Sequence, residues 1–179
     1  MSAPVEAVRD EDHGQGTDAA RVTLVEYADF QCPSCGEAYP VLREVQRAFG
    51  PNLRFVFRHF PLRDSHPHAG SAAEASEAAG AQGKFWEMHD RLFEHQDALD
   101  ERSLLRHARK IGLDLPRFER ELIGKSHAGR VERDAAGGRA GGVRGTPSLF
   151  INGVLYQGPR DRASLVAALA KAAVVPAAP

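Results

Sequence analysis

An α/β fold in which a helical block interrupts a single sheet is predicted by three features of this 179-residue chain. Two runs rich in β-branched and aromatic residues, 22–30 and 53–62, flank a segment of helical period. A long stretch of helical stripes, 65–142, follows. The chain then returns to extended structure in TPSLFINGVLYQG, where Asn152-Gly153 is the strongest short-range signal of a hairpin with a type I′ turn.

Residues 1–20 are small, acidic and glycine-containing without periodicity, and they read as a mobile tail. In VTLVEYADF, Val22, Leu24, Val25 and Tyr27 mark a buried strand. From Pro33 onward Ala38, Leu42, Val45 and Phe49 form one helical face, which Gly50-Pro51 ends. LRFVFRHFPL is a second strand, and the order strand, helix, strand favours a parallel pair with a right-handed crossover.

Within 65–142, HAGSAAEASEAAGAQG is alanine-rich and helical, and His66 and His68 mark its start rather than a ligand set. Phe85, Trp86, His89, Leu92 and Phe93 make a stripe that faces a core rather than a bound peptide. Leu104, Leu105, Ala108 and Ile111 make another, stopped by Gly112, and Pro116 begins a third with Phe118, Leu122 and Ile123. The segment AGRVERDAAGGRAGGVRG holds six glycines and is a poor autonomous helix, which either packs closely against a neighbour or flexes. Asp161 caps a final helix carrying Leu165, Val166 and Leu169. The expected organisation is a tail over 1–20, one α/β domain made of 21–64 and 143–175, and an all-helical insertion domain over 65–142.

The hydrophobic content of 42% is that of an ordinary soluble globular protein. A formal net charge of -1 provides no field to attract nucleic acid or an anionic membrane, so neither is an expected partner. No stretch approaches the roughly 18 apolar residues of a spanning helix. The N-terminus lacks a basic start followed by an apolar run, so the expected location is cytoplasmic, or extracytoplasmic if a leader was removed.

The chemistry centres on ADFQCPSCGEAYP, which holds both cysteines of the chain. Pro33 suits the first position of a helix, which puts Cys32 at the cap, facing unpaired amides and the positive end of the dipole. That geometry favours a thiolate at Cys32, while Cys35, one turn later, lies nearer the body of the protein. A pair so spaced can close a disulfide without rearranging the backbone. Cys32 is then the nucleophile of thiol-disulfide exchange and Cys35 the resolving thiol. Two other readings compete. A zinc half-site needs two more ligands from the eight histidines, and His66-Pro67-His68 has no standard spacing relative to the cysteines. A passive disulfide would close a loop too short to stabilise much. Exchange is the favoured reading.

VEYADFQCPSC, a long helical block and then GVRGTPSLFING resemble the DsbA-like branch of the thioredoxin superfamily over essentially residues 20–172. The resemblance implies a thioredoxin fold with an inserted all-helical domain. It implies a cis Thr146-Pro147 bond opposite the cysteines, in a loop whose backbone receives an extended substrate. Glu26 is similar to the acidic residue that relatives place beneath the active site to handle the proton of the resolving cysteine, since a carboxylate inside an apolar strand needs a reason; the alternative is an edge-facing charged strand residue. Pro40 is similar to a proline that kinks the first helix of relatives. The dipeptide between the cysteines departs from the pattern. Strongly oxidising relatives usually have histidine there, whereas Pro33-Ser34 supplies no positive charge. The Cys32 pKa is therefore expected nearer the ~7 of a thioredoxin than the ~3.5 of DsbA.

The function expected is exchange of disulfides with protein or small thiol substrates through a Cys32 mixed disulfide resolved by Cys35. No cofactor beyond these two sulfurs and no metal is expected; glutathione is a candidate reductant, and an unidentified redox protein a partner. The alternatives are a glutathione-dependent isomerase or transferase of the same superfamily, and a redox-sensing or zinc-binding module without turnover. Arg58 and His59 receive no role.

Overall fold

The computed structural model describes residues 5–174. In chain order its elements are β1 (His13–Gln15), β2 (Val22–Ala28), α1 (Pro33–Phe49), a short 3-10 turn over Gly50–Asn52, β3 (Leu53–His59), α2 (Ala69–Gly80), α3 (Phe85–Glu94), α4 (Glu101–Lys110), α5 (Leu115–Ile123), α6 (Ala128–Ala140), β4 (Ser148–Ile151), β5 (Val154–Leu155) and α7 (Arg162–Val174). The strands form one sheet in the order β1-β3-β2-β4-β5. The central pair β2 and β3 is parallel, with Glu26 beside Phe57, and the other neighbours are antiparallel. This is a thioredoxin fold with five helices inserted between β3 and β4.

Alternation along β2 sorts the two faces of the sheet. Leu24 and Ala28 join Phe55, Phe57, Leu42 and Val45 in one apolar cluster beneath α1 and α3. Val25 and Tyr27 point the other way and pack with Val56, Phe60, Ala135 and Phe150 beneath α6. The first cluster runs without a break from the sheet into the insertion, through Phe85, Met88, Leu92, Leu104 and Phe118, so the inserted helices share the core of the sheet. Trp86 packs half-buried against that core, and Phe85 and Phe93 are buried in it. Alanine dominates α2, whose Ala72, Ala75, Ala78 and Ala79 are fully buried; small side chains on several sides let a helix sit inside a core.

The glycine-rich segment settles as α6, which packs closely rather than flexing. A Cβ added at Gly138 would fall 2.9 Å from both Tyr27 and Phe60, so the glycine is what lets the helix lie on the sheet. Asn152 and Gly153 take φ of 48° and 81°, the double positive φ of a type I′ turn. Asp161 Oδ1 accepts from the Ser164 amide at the start of α7.

The expected tail over 1–20 is corrected by the structure. Residues 1–4 lie outside the described residues, but His13–Gln15 forms a strand paired with Phe55–Phe57, and the Val5 amide donates to the Gly153 carbonyl. The reason is polar. Asp12, with its side chain 1% exposed, pairs with the fully buried Arg58 at 2.6 Å, and Arg58 also donates to the Glu6 and Ala7 carbonyls. Arg9 spans Asp12 and Asp134. A segment without an apolar period is thus held by ions reaching it from β3 and α6.

Candidate active site

Both cysteines sit where β2 hands over to α1. The buried Asp29 shapes the connection: its carboxylate accepts from the Gln31 amide at 2.8 Å, the Leu62 amide at 2.9 Å and His66 Nδ1 at 2.7 Å, and its carbonyl accepts from the Cys32 amide. Pro33, at the first helical position, has no amide hydrogen to leave unpaired, and Cys32 occupies the N-cap with φ -70° and ψ 122°. The Cys32 carbonyl accepts from the Cys35 and Gly36 amides, opening the helix. Pro33 and Ser34 are exposed, Cys32 is 6% exposed and Cys35 is completely buried. Both thiols are free in this structure.

The two sulfurs are made chemically unequal by this placement. The Cys35 thiol, donating to the Cys32 sulfur, stabilises its anion most; burial opposes this, and the Thr146 side chain and the Cys35 and Ser34 amides reinforce it, so the Cys32 pKa falls to about 5. That is below the expectation of about 7 and above the ~3.5 of DsbA, because hydrogen bonds at the cap do part of what a neighbouring charge would do. Cys35 moves the opposite way: burial, then the nearby Cys32 sulfur and the charge of Glu26, hold it as a thiol.

Thr146 and Pro147 lie against Cys32 although 114 residues separate Thr146 from it in sequence. The Thr146–Pro147 peptide bond is cis, and the Cys32 thiol donates to the Thr146 carbonyl at 3.5 Å. Among the described residues the buried Thr146 hydroxyl has no hydrogen-bond partner, and it is free to donate to a thiolate. Arg160 pins the loop by donating to the Pro147 carbonyl at 2.9 Å, and Ser148 does so by donating to the Gly145 carbonyl.

Glu26 lies beneath Cys35 on the α1 face of β2, 2% exposed. Among the described residues nothing hydrogen-bonds its carboxylate, and burial alone raises its pKa to about 8. It borders a cavity of about 290 Å³ between the sheet, α1 and α3, shared with Leu42, Phe55, Trp86 and His89. Cys32, Cys35, Glu26, Thr146 and Pro147 are therefore brought together, with Pro33 and Ser34 on the rim.

Other residues stand elsewhere. Arg58 points away from the sulfurs into the ion cluster behind the sheet, and His59 Nε2 donates to the Glu77 carboxylate at 2.8 Å. His66 serves Asp29, and His68 is the residue before α2. Among the described residues no group of three or more His, Cys, Asp or Glu side chains is placed to hold a metal ion. Pro40 lies inside α1.

Sequence reasoning missed Gln96, in the connection between α3 and α4. Its side-chain amide donates to the Phe30 carbonyl at 2.8 Å and to the Cys32 carbonyl at 2.9 Å. Nothing local distinguishes this glutamine; only the folded chain brings it to the cysteine loop.

The thioredoxin family model matches residues 9–171. Among curated proteins, the chain is 48% identical over 163 residues to a Na(+)/H(+) antiporter NhaA 3 of Salinispora tropica, a match that covers 91% of this chain and 25% of that protein. It is 45% identical over 170 residues to an antiporter NhaA 1 of Mycolicibacterium vanbaalenii, covering 93% and 27%. The chain thus spans about a quarter of the length of these curated relatives. Among solved structures, oxidised BdbD from Bacillus subtilis superposes with a TM-score of 0.84 at 23% identity over 97% of both chains. A thioredoxin-like oxidoreductase from Silicibacter pomeroyi gives 0.81 at 29% identity, covering 92% of this chain and 93% of that one. Among the described residues no helix is long and apolar enough to cross a membrane.

Proposed function

Because the chain belongs to the thioredoxin family and has the DsbA-like form of its fold, we propose that it is a thiol-disulfide oxidoreductase acting on protein or small-molecule thiols and disulfides. The observation that carries this reading is the inequality of the two sulfurs: one held as an anion at a helix cap, its neighbour buried and held as a thiol. A structural disulfide or a zinc site has no use for that difference. The antiporter names belong to much longer proteins, and the proposal concerns the chemistry of the shared quarter alone.

In the reducing direction the Cys32 thiolate attacks one sulfur of a substrate disulfide. The Cys32–substrate bond forms, the substrate S–S bond breaks, and the first substrate thiolate leaves with the electron pair and takes a proton from solvent. Cys35 gives its proton to the Glu26 carboxylate and attacks Cys32 Sγ. The second substrate thiolate leaves, the Cys32–Cys35 disulfide remains, and two electrons have passed to the substrate. Thiol oxidation is the same sequence reversed, with Glu26 returning the proton to Cys35 as it leaves. A pKa near 8 suits a group that must take and give that proton around neutrality. The Thr146–Pro147 loop, beside Cys32, would receive the substrate backbone. No other cofactor is needed; glutathione would serve as a regenerating thiol.

The test is turnover. Cys32→Ser is expected to abolish both dithiol-dependent insulin reduction and thiol oxidation, and full activity in that variant would remove the proposal. The direction follows from the equilibrium potential against glutathione: a value near about -120 mV marks an oxidant and one near about -270 mV a reductase.

A further inference from the structure

Two features at the start of α1 have no explanation in helix formation. Gly36 stands in the first turn, where alanine would favour the helix more. The second is Gln96, which reaches this turn from the inserted helices. Its Nε2 donates both hydrogens, one to the Phe30 carbonyl at 2.8 Å and one to the Cys32 carbonyl at 2.9 Å, so it bridges the residues on either side of Gln31. The remainder of the same amide lies over Gly36. A Cβ built there would collide with Oε1 and fall 2.7 Å from Cδ of Gln96. Glycine at 36 and the amide of Gln96 are two halves of one contact, and a methyl group at 36 could be admitted only by moving that amide from its place.

We propose that Gln96 is a positioning residue for Cys32, through which the helical insertion holds the nucleophile at its cap, and that Gly36 is glycine to admit it. The inference rests on Cys32 being the reactive thiol. The anion at Cys32 depends on how its sulfur sits relative to the Cys35 thiol, the Thr146 side chain and the first amides of α1, and that placement is set by the backbone of residues 30–32. This is the stretch that Gln96 brackets, with Asp29 holding the preceding turn. Asp29 belongs to the strand end; Gln96 belongs to the insertion, so the inserted helices and the sulfur become one mechanical unit.

The experiment measures the pH dependence of Cys32 alkylation by iodoacetamide in the full reduced chain, with the modified peptide identified by mass spectrometry. Gln96→Ala and the isosteric Gln96→Glu, which has no hydrogens to donate, are each expected to move the midpoint upward by about one pH unit, a roughly fivefold loss of thiolate at the original midpoint. Gly36→Ala, which must expel the amide, is expected to give the same displacement, and to add nothing further in the Gln96→Ala background. Non-additivity of that kind identifies one shared contact. Unchanged midpoints in both Gln96 variants would overturn the inference, as would full additivity of the two substitutions. Turnover retained by Cys32→Ser would overturn the oxidoreductase reading instead, because alkylation counts thiolate whether or not the chain is an enzyme.

Discussion

The two faces of the sheet treat buried charge in opposite ways. Beneath α1, Glu26 lies against the apolar cluster at a cavity that Arg43, Arg47 and Asp90 also border, with no hydrogen-bond partner among the described residues, and its proton affinity is raised. Beneath α6, the side chains of Arg58, Asp12 and Asp134 are withdrawn from water and that of Arg9 is largely so, yet they pair with one another, and Arg58 further engages Tyr27 and two backbone carbonyls. Solitude makes a carboxyl group responsive to proton transfer within the range where proteins work. Pairing makes a charge an anchor that stays ionised. One strand pair therefore carries reactivity on one side and attachment on the other.

The comparison is sharpest where substitutions should differ in sign. Asp12→Ala leaves Arg58 buried without its carboxylate, and chemical denaturation is expected to show a loss of about 3–5 kcal/mol. A loss below about 1 kcal/mol would mean that the cluster is not an anchor. Glu26→Gln is expected to act the other way. Unfolding lets this carboxyl ionise near its ordinary 4.5, whereas the folded protein holds the proton up to about 8, so rising pH between these values favours the unfolded chain. The variant escapes that penalty: its advantage should be absent near pH 4 and reach ~3 kcal/mol near pH 7. Parallel stability curves for the two proteins across this window would refute the isolation of Glu26. The smallest effect concerns packing on the anchored face. Gly138→Ala forces a methyl group against Tyr27 and Phe60 and should cost about 1–3 kcal/mol in thermal or urea unfolding, with Cys32 alkylation unchanged.

The same contrast explains what could be read before folding. The strands, α1, the helical block and the hairpin announce themselves through apolar period and turn chemistry, which are local. Cys32 and Cys35 are legible because Pro33 and the strand-to-helix switch define the cap between them. Glu26 is legible as an anomaly within VTLVEYA. The anchored face is not, because Arg9 and Asp12 lie in a polar stretch whose partners are Arg58 and Asp134, many residues away. Its lack of apolar period looks the same as that of a tail. The glycines of α6 weaken the helical signal, and their value lies in Tyr27 and Phe60 across the interface. Gln96 has no local signature, since its worth is the position of two carbonyls near residue 31.

The short strand β1 also decides how the sheet meets other chains. It covers the outer side of β3, and the opposite margin is the two-residue β5. Neither boundary of the sheet offers a long row of unsatisfied backbone groups to a passing strand, which is how proteins avoid edge-to-edge aggregation. If residues 5–16 detached, the stretch Phe55–Phe57 that β1 covers would open, and the seven residues of β3 would become such a row. The ions that fasten the N-terminal segment thus also guard solubility.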